Sequence, residues 1–207
     1  GAKNLNDGIS LIQTADGALN EQSSILIRLR EITAQAATGT VGSTERATVQ
    51  LEFSALRAEF DRIANSTEFN GQKLLDGSLA ASASNATVLQ LGVDSSDNNR
   101  FDLNQKINLT AITSSALGFS TDSVATNTGA LTAMANLTTA IEKLSAIRGR
   151  VGAVQETLDF SKGAMDAHVE NLTGAISTMR DADFAEEFAS MTKNQILVQG
   201  AASMIGQ

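Results

Sequence analysis

Apolar residues recur along this chain in two long helical registers, separated by a stretch that follows neither. Across residues 5–37, Ile9, Ile12, Ala15, Leu19, Leu26, Leu29, Ile32 and Ala36 fall at helical spacings with polar residues between them. Side chains three and four apart share one face of a helix, so this spacing predicts a helix over about 5–37. Gly8 and Gly17 weaken it locally by up to about 1 kcal/mol each relative to Ala. The segment Gly39-Thr40-Val41-Gly42-Ser43 then breaks the period. Gly39 suits a C-terminal cap, and Ser43 or Thr44 can accept a bond from the free N–H groups of a following helix. Val49, Phe53, Leu56, Phe60 and Ile63 mark that second helix, over about 44–64. So short a link makes an antiparallel pair the expected geometry.

From residue 65 to about 127 the helical period is lost. Asn70-Gly71 and Asp76-Gly77 are turn signals. Val88, Leu89, Leu91 and Val93 form a short strand-like run, and residues 94–99 read as a polar turn. Phe101, Leu103, Ile107 and Leu109 then partly alternate with polar residues, which predicts a small β-hairpin region packed on the helices.

The helical pattern returns at about Gly129. Met134, Leu137, Ile141, Leu144, Val151, Val154, Leu158, Met165, Leu172, Ile176 and Met179 recur at heptad-like steps, with Ile147, Ser161 and His168 or Val169 near the gaps. A repeat sustained over that length is coiled-coil-like. One helix over 129–179 would be about 75 Å long. Residues 180–207 open with Asp181, Asp183, Glu186 and Glu187. They then turn apolar at Phe184, Phe188, Met191, Ile196, Leu197 and Ile205, which predicts a further amphipathic helix with no evident partner for its apolar face. The expected fold is mainly α: long antiparallel helices in a rod-like coiled-coil bundle with a small β-hairpin region. Residues 1–179 form its core, and 180–207 a C-terminal helix.

Composition sharpens this picture. Aromatic residues are 4% of the chain, all Phe, and proline is absent, so no residue removes a backbone donor from a long helix. Without cysteine there are no disulfides, thiolate metal sites or cysteine nucleophiles. A formal net charge of −8 argues against a nucleic-acid binder, which needs a basic footprint. It also argues against adsorption to anionic membranes. No apolar run is long enough to span a bilayer. Residues 1–8 lack a basic region followed by an apolar stretch, so they do not read as a secretory leader. A first residue of Gly rather than Met points to a cut terminus.

Several motifs, taken in order, carry a resemblance. They are Asn6-Asp7-Gly8-Ile9-Ser10-Leu11-Ile12-Gln13-Thr14-Ala15-Asp16-Gly17-Ala18-Leu19, Arg28-Leu29-Arg30-Glu31-Ile32 with Gln35-Ala36, and Phe60-Asp61-Arg62-Ile63. Further on come Glu68-Phe69-Asn70-Gly71-Gln72-Lys73-Leu74-Leu75-Asp76-Gly77 and Arg148-Gly149-Arg150-Val151-Gly152-Ala153-Val154-Gln155. Last are Arg180-Asp181-Ala182-Asp183-Phe184-Ala185-Glu186-Glu187 and Gln195-Ile196-Leu197. Each alone is weakly specific, but their order resembles bacterial flagellin, the filament subunit, over about two-thirds of the chain.

The resemblance implies a secreted, extracellular structural protein that self-assembles with other flagellin subunits for motility. It implies a core lacking the N-terminal inner-tube segment, with Phe184, Phe188, Ile196 and Leu197 as inner-tube packing residues. It further implies an export chaperone at the C-terminal helix. By motif position, Arg28, Ile32 and Glu52 fall on a patch that Toll-like receptor 5 recognises in several flagellins and that can equally serve subunit contacts. Ile32 stands where the family usually has Leu, Thr33 where it usually has Ala, and Ile27 where a polar residue is common. Within the same class, a hook–filament junction protein is the alternative. A surface adhesin or glycan-binding coiled coil is another, and it would expose aromatics such as Phe101 and Phe119.

Candidate chemistry adds little, and no enzyme, cofactor or metal site is expected. His168 is the sole histidine, so a transition-metal site lacks ligands. Glu156 and Asp159, three apart on a long helix, read as a solvated face rather than an acid–base pair. Asp181, Asp183, Glu186 and Glu187 favour the start of a helix through its dipole rather than binding a cation. Gly149 and Gly152 lack the preceding strand of a phosphate loop and read as close-packing points. Asn-x-Ser/Thr triplets at Asn65, Asn85, Asn108, Asn136 and Asn171 arise easily in an Asn/Thr-rich chain.

Overall fold

The computed structural model describes residues 1–92 and 96–206. Val93, Asp94 and Ser95, expected at the end of a strand and the start of a turn, lie outside the described residues, as does Gln207. Helix α1 spans Ala2–Ala37 and α2 Ser43–Ser66; they are followed by strands β1 (Glu68–Phe69), β2 (Gln72–Lys73), β3 (Val88–Gln90) and β4 (Arg100–Asp102). Short helices α3 (Leu103–Ile107) and α4 (Ser114–Leu117) lead to α5, Asn127–Ile205. Two compact units result, Gly1–Lys162 and Gly163–Gln207.

Within the first unit, hydrogen bonds fix the helix directions. Arg46 reaches Ala36 O, Arg28 reaches Glu52, and Gln22 reaches Phe60 O. The paired numbers rise on one helix as they fall on the other, so α1 and α2 are antiparallel. Asn127 donates to Ala37 O and Arg148 approaches Asp16, which sets α5 antiparallel to α1 as well. The α1 stripe is buried as expected, and Gln22 fills the slot between Leu19 and Leu26 that the apolar pattern left open. On α2 Val49, Phe53 and Phe60 are buried, whereas Leu56 and Ile63 are half-buried and Ala64 takes the inner position.

On α5 the buried seam is Ala130, Ala133, Leu137, Ala140, Leu144, Ile147, Val151, Val154 and Leu158, an unbroken alternation of three and four. Met134 and Ile141, expected on that seam, lie half-buried beside it. Alanines take the seam there, so the sequence stripe, weighted towards large residues, ran one position off.

The helix caps also differ from expectation. Neither Ser43 nor Thr44 caps α2; Gly42 holds that position with no side-chain bond. Helix α1 ends at Thr38 in extended backbone rather than at Gly39. Its last carbonyls are met from a distance, by Arg46 on Ala36 O (2.8 Å) and Thr38 O (3.1 Å) and by Asn127 on Ala37 O (2.5 Å). Three helix ends are thereby tied together, which satisfies acceptors that a helix terminus otherwise leaves free.

The insert contains two small antiparallel ladders. In the first, β1 and β2 are joined by Asn70 (φ 50) and Gly71 (φ 78). Positive φ at both positions is a type I′ turn, which matches the twist of a two-residue hairpin. In the second, Leu89 pairs with Phe101 between β3 and β4. The expected alternation beyond Phe101 is not strand: Leu103 and Ile107 bury from the short helix α3, capped by Asp102, which accepts from Gln105 N. Leu74, Leu75, Leu79, Leu109, Ile112 and Phe119 complete a local core, and Phe119 meets Phe60 edge-on at 5.3 Å.

Candidate assembly and recognition surfaces

Buried polar side chains join the insert to the helices. Asn104 is 2% exposed; its Oδ1 accepts from Thr87 N (2.8 Å) and its Nδ2 donates to Ser78 O, Ala80 O and Asn85 O. Asp61 on α2 accepts from Ser114 N (2.6 Å) and Ser114 Oγ (2.7 Å), holding the start of α4. Gln50 accepts from Ser123 Oγ and Val124 N, and Gln22 donates to Phe60 O and Ile112 O. Arg150 donates to Ile107 O and Asn108 O. The insert is therefore held on the helical frame through named backbone groups as well as by apolar packing.

One outward surface crosses α1 and α2. Arg28 Nη2 lies 2.7 Å from Glu52 Oε1, and Arg28 Nη1 lies 3.2 Å from Glu31. Hydrogen bonding to Glu52 first, and to Glu31 second, raises the Arg28 guanidinium above its ordinary range. Ile32 does not lie on this surface: it is 1% exposed and packs into the core. The register explains this, because Leu29, Ile32 and Ala36 continue the inward stripe while Arg28 and Glu31 face out. Two apolar side chains, Ile27 and Leu51, stand exposed one residue before Arg28 and Glu52, and of these sequence reasoning did not select Leu51. Leu51 lies outside the Val49–Phe53–Phe60 stripe, and that mismatch was the available signal.

The second surface is residues 163–206, where no described residue is buried. The helix is continuous through Arg180, so residues 180–205 extend α5 instead of forming a separate helix. No proline or turn interrupts the hydrogen-bond ladder there. Phe184, Phe188, Ile196 and Leu197 are all at least half exposed. They do not share one face, contrary to the expected amphipathic pattern. At about 100° per residue, Phe188 and Leu197 point to opposite sides of the helix. Phe184, Phe188 and Met191 make one stripe, with the two Phe rings 5.6 Å apart. Met179, Leu197 and Met204 make another. A helix apolar on several sides is built to be surrounded.

Elsewhere the chemistry is sparse. His168, Glu156, Asp159, Asp181, Asp183, Glu186 and Glu187 are exposed, and among the described residues no group of three His, Cys, Asp or Glu side chains is placed to hold a metal. No helix is long and apolar enough to cross a membrane among the described residues. Phe119, one of the two aromatics an adhesin would display, is fully buried.

Two family models match this chain: the bacterial flagellin N-terminal helical region over residues 1–80, and the C-terminal helical region over 134–207. A flagellar filament 30.7 kDa core protein of Treponema maltophilum is 34% identical over 99% of this chain and 73% of its own length. A flagellin of Bacillus subtilis is 36% identical over 100% of this chain and 75% of its own. The crystal structure of Bacillus cereus flagellin superposes with a TM-score of 0.66 at 31% identity, covering 79% of this chain and 89% of that one.

Proposed function

This chain belongs to the bacterial flagellin family and is a structural subunit of the flagellar filament, and on that premise we propose that residues 163–206 are its principal assembly element. The observation that carries this is a helix segment with large apolar side chains on several sides and no buried residue. Fully covering a side chain such as Phe, Leu or Ile contributes about 1.5–3 kcal/mol relative to leaving it in water. Phe184, Phe188, Ile196 and Leu197 therefore supply a strong drive to pack, and their opposed directions call for more than one neighbouring helix. Repetition of one heterologous contact without closure gives a filament. The role is mechanical rather than catalytic.

Before assembly the same residues need cover, and an export chaperone on the C-terminal helix supplies it in this reading. The α1–α2 surface is the second proposed contact. Arg28 and Glu52 hold a crossing ion pair beside exposed Ile27 and Leu51, a charged pair with apolar flanks of the kind that anchors protein interfaces. Ile32 supports that surface from beneath. Toll-like receptor 5 and neighbouring subunits are its proposed partners.

Seeded growth tests the first assignment. The chain is added to preformed flagellin filaments and sedimented, beside a Phe184→Asp/Phe188→Asp variant. The parent is expected in the pellet and the variant in the supernatant; equal incorporation of the two would refute the assignment. For the receptor, Arg28→Ala and Glu52→Ala are expected to lower signalling in receptor-expressing reporter cells, and undiminished signalling by both would remove it.

A further inference from the structure

Sulfur in this chain is confined to five methionines, since there is no cysteine. Four of them, Met165, Met179, Met191 and Met204, lie in the 163–206 segment, and only Met134 lies in the first unit. Met179, Met191 and Met204 are 62%, 47% and 80% exposed, whereas Met134 and Met165 are half-buried. The exposed three are distributed over both apolar stripes. Met191 sits one turn beyond Phe188, while Met179 and Met204 flank Leu197 on the other side. A thioether is a flexible, polarizable filler of irregular apolar gaps, suited to a surface that packs against several neighbours. With no thiol to react first, these thioethers are the soft sulfur nucleophiles available to an oxidant.

We propose that Met179, Met191 and Met204 are oxidation sites at which a hydroperoxide switches off assembly of the free subunit. In each event a sulfur lone pair attacks the terminal peroxide oxygen and the O–O bond breaks. The thioether is oxidised by two electrons to the sulfoxide, and the peroxide is reduced to water or the alcohol. The product places a strong acceptor where an apolar side chain packed, and an acceptor buried without a donor opposes association. Assembled subunits are protected, because the sulfurs are covered. The pair of methionine sulfoxide reductases, one for each sulfoxide epimer and both supplied with a thiol reductant, reverses the change. The inference rests on the packing role of residues 163–206.

The test treats the full chain with hydrogen peroxide and maps sulfoxides by peptide mass spectrometry over time. The treated chain is then added to preformed flagellin filaments. Met179, Met191 and Met204 are expected to gain oxygen ahead of Met134 and Met165. Incorporation is expected to fall at least about tenfold, the order for a single unpaired polar group in an interface. Treatment with reductases for both sulfoxide epimers should restore it, and in a Met179→Leu/Met191→Leu/Met204→Leu variant peroxide should leave incorporation at that variant's own untreated level, whatever that level is. Oxidation of Met134 at the same rate as the exposed three would overturn the site assignment. Unchanged incorporation of the fully oxidised chain would overturn the switch. If the untreated chain fails to join filaments, the packing reading falls and the switch with it, while the mass map still decides the reactive sites.

Discussion

Leu144 and Leu172 occupy the same heptad position of α5, four heptads apart, yet one is 1% exposed and the other 63%. Truncating each to Ala therefore separates intrinsic folding from assembly. At Leu144 the change removes buried methyl groups from the seam against the first unit's core. Such truncations cost about 2–5 kcal/mol, depending on how far the site collapses, and a fully packed seam position belongs near 3. For a unit of this size about 2–4 °C of melting temperature is lost per kcal/mol, so Leu144→Ala should melt about 6–12 °C lower. At Leu172 the side chain already faces water and Ala is the better helix former, so the shift should stay within about 0.5 kcal/mol. Calorimetry of the isolated chain reads the first effect, and seeded sedimentation reads the second. Leu144→Ala should weaken folding strongly, whereas Leu172→Ala should weaken incorporation while leaving melting intact. Equal destabilisation by the two would refute the reasoning, because it would mean that Leu172 is buried within the subunit itself.

Other outcomes follow from single features of the insert and of α2. Asn104→Ala leaves Thr87 N–H without its acceptor and Ser78 and Asn85 carbonyls without their donor, so urea unfolding should show a loss of at least about 2 kcal/mol; a loss under half that would mean water replaces the amide. Gly71→Ala places a Cβ in open space but at φ +78, so its cost is backbone strain alone, about 1–2 kcal/mol, and a neutral result would show that the turn can change type. Arg62 holds the Glu59 carboxyl below the usual range chiefly through its hydrogen bond, against a smaller opposing effect of desolvation and with a still smaller help from its charge. The contribution of that pair is complete above the ordinary carboxylate range and is lost as pH falls through the lowered folded value. An NMR titration should find the Glu59 midpoint higher in Arg62→Ala, and an unmoved midpoint would remove the pairing.

Much of the helical frame was legible because it is written in periodic apolar residues. The α1 stripe from Ile9 to Ala36 needed no tertiary information, and neither did the Asn70-Gly71 turn, whose φ values are a local property. What escaped was decided by contacts distant in sequence. The seam of α5 passes through Ala130, Ala133 and Ala140, small residues that carry little hydrophobic weight until a neighbouring helix comes close. Gln22 and Asn104 are polar, so a reading based on hydrophobicity leaves them outside, although the fold buries both and uses them to hold other chain segments. The C-terminal cap of α1 was misread for the same reason, since Arg46 and Asn127 reach that end from other helices. At the candidate surfaces, Arg28 and Glu52 meet as the antiparallel link implied, but Ile32 belongs to the inward stripe. Residues 180–205 read as amphipathic from their acidic opening, although the positions that follow are apolar on several sides.

Hydrogen exchange on this chain, free and after incorporation into flagellin filaments, tests most directly whether residues 163–206 are completed only by neighbours. A lone helix without packing frays in water, whereas a packed one exchanges slowly. The expected result is slow exchange across the seam from Ala130 to Leu158 in both states, with 163–206 fast in the free chain and slow in the filament. Slow exchange of 163–206 in the free chain, or fast exchange that persists in the filament, would contradict it.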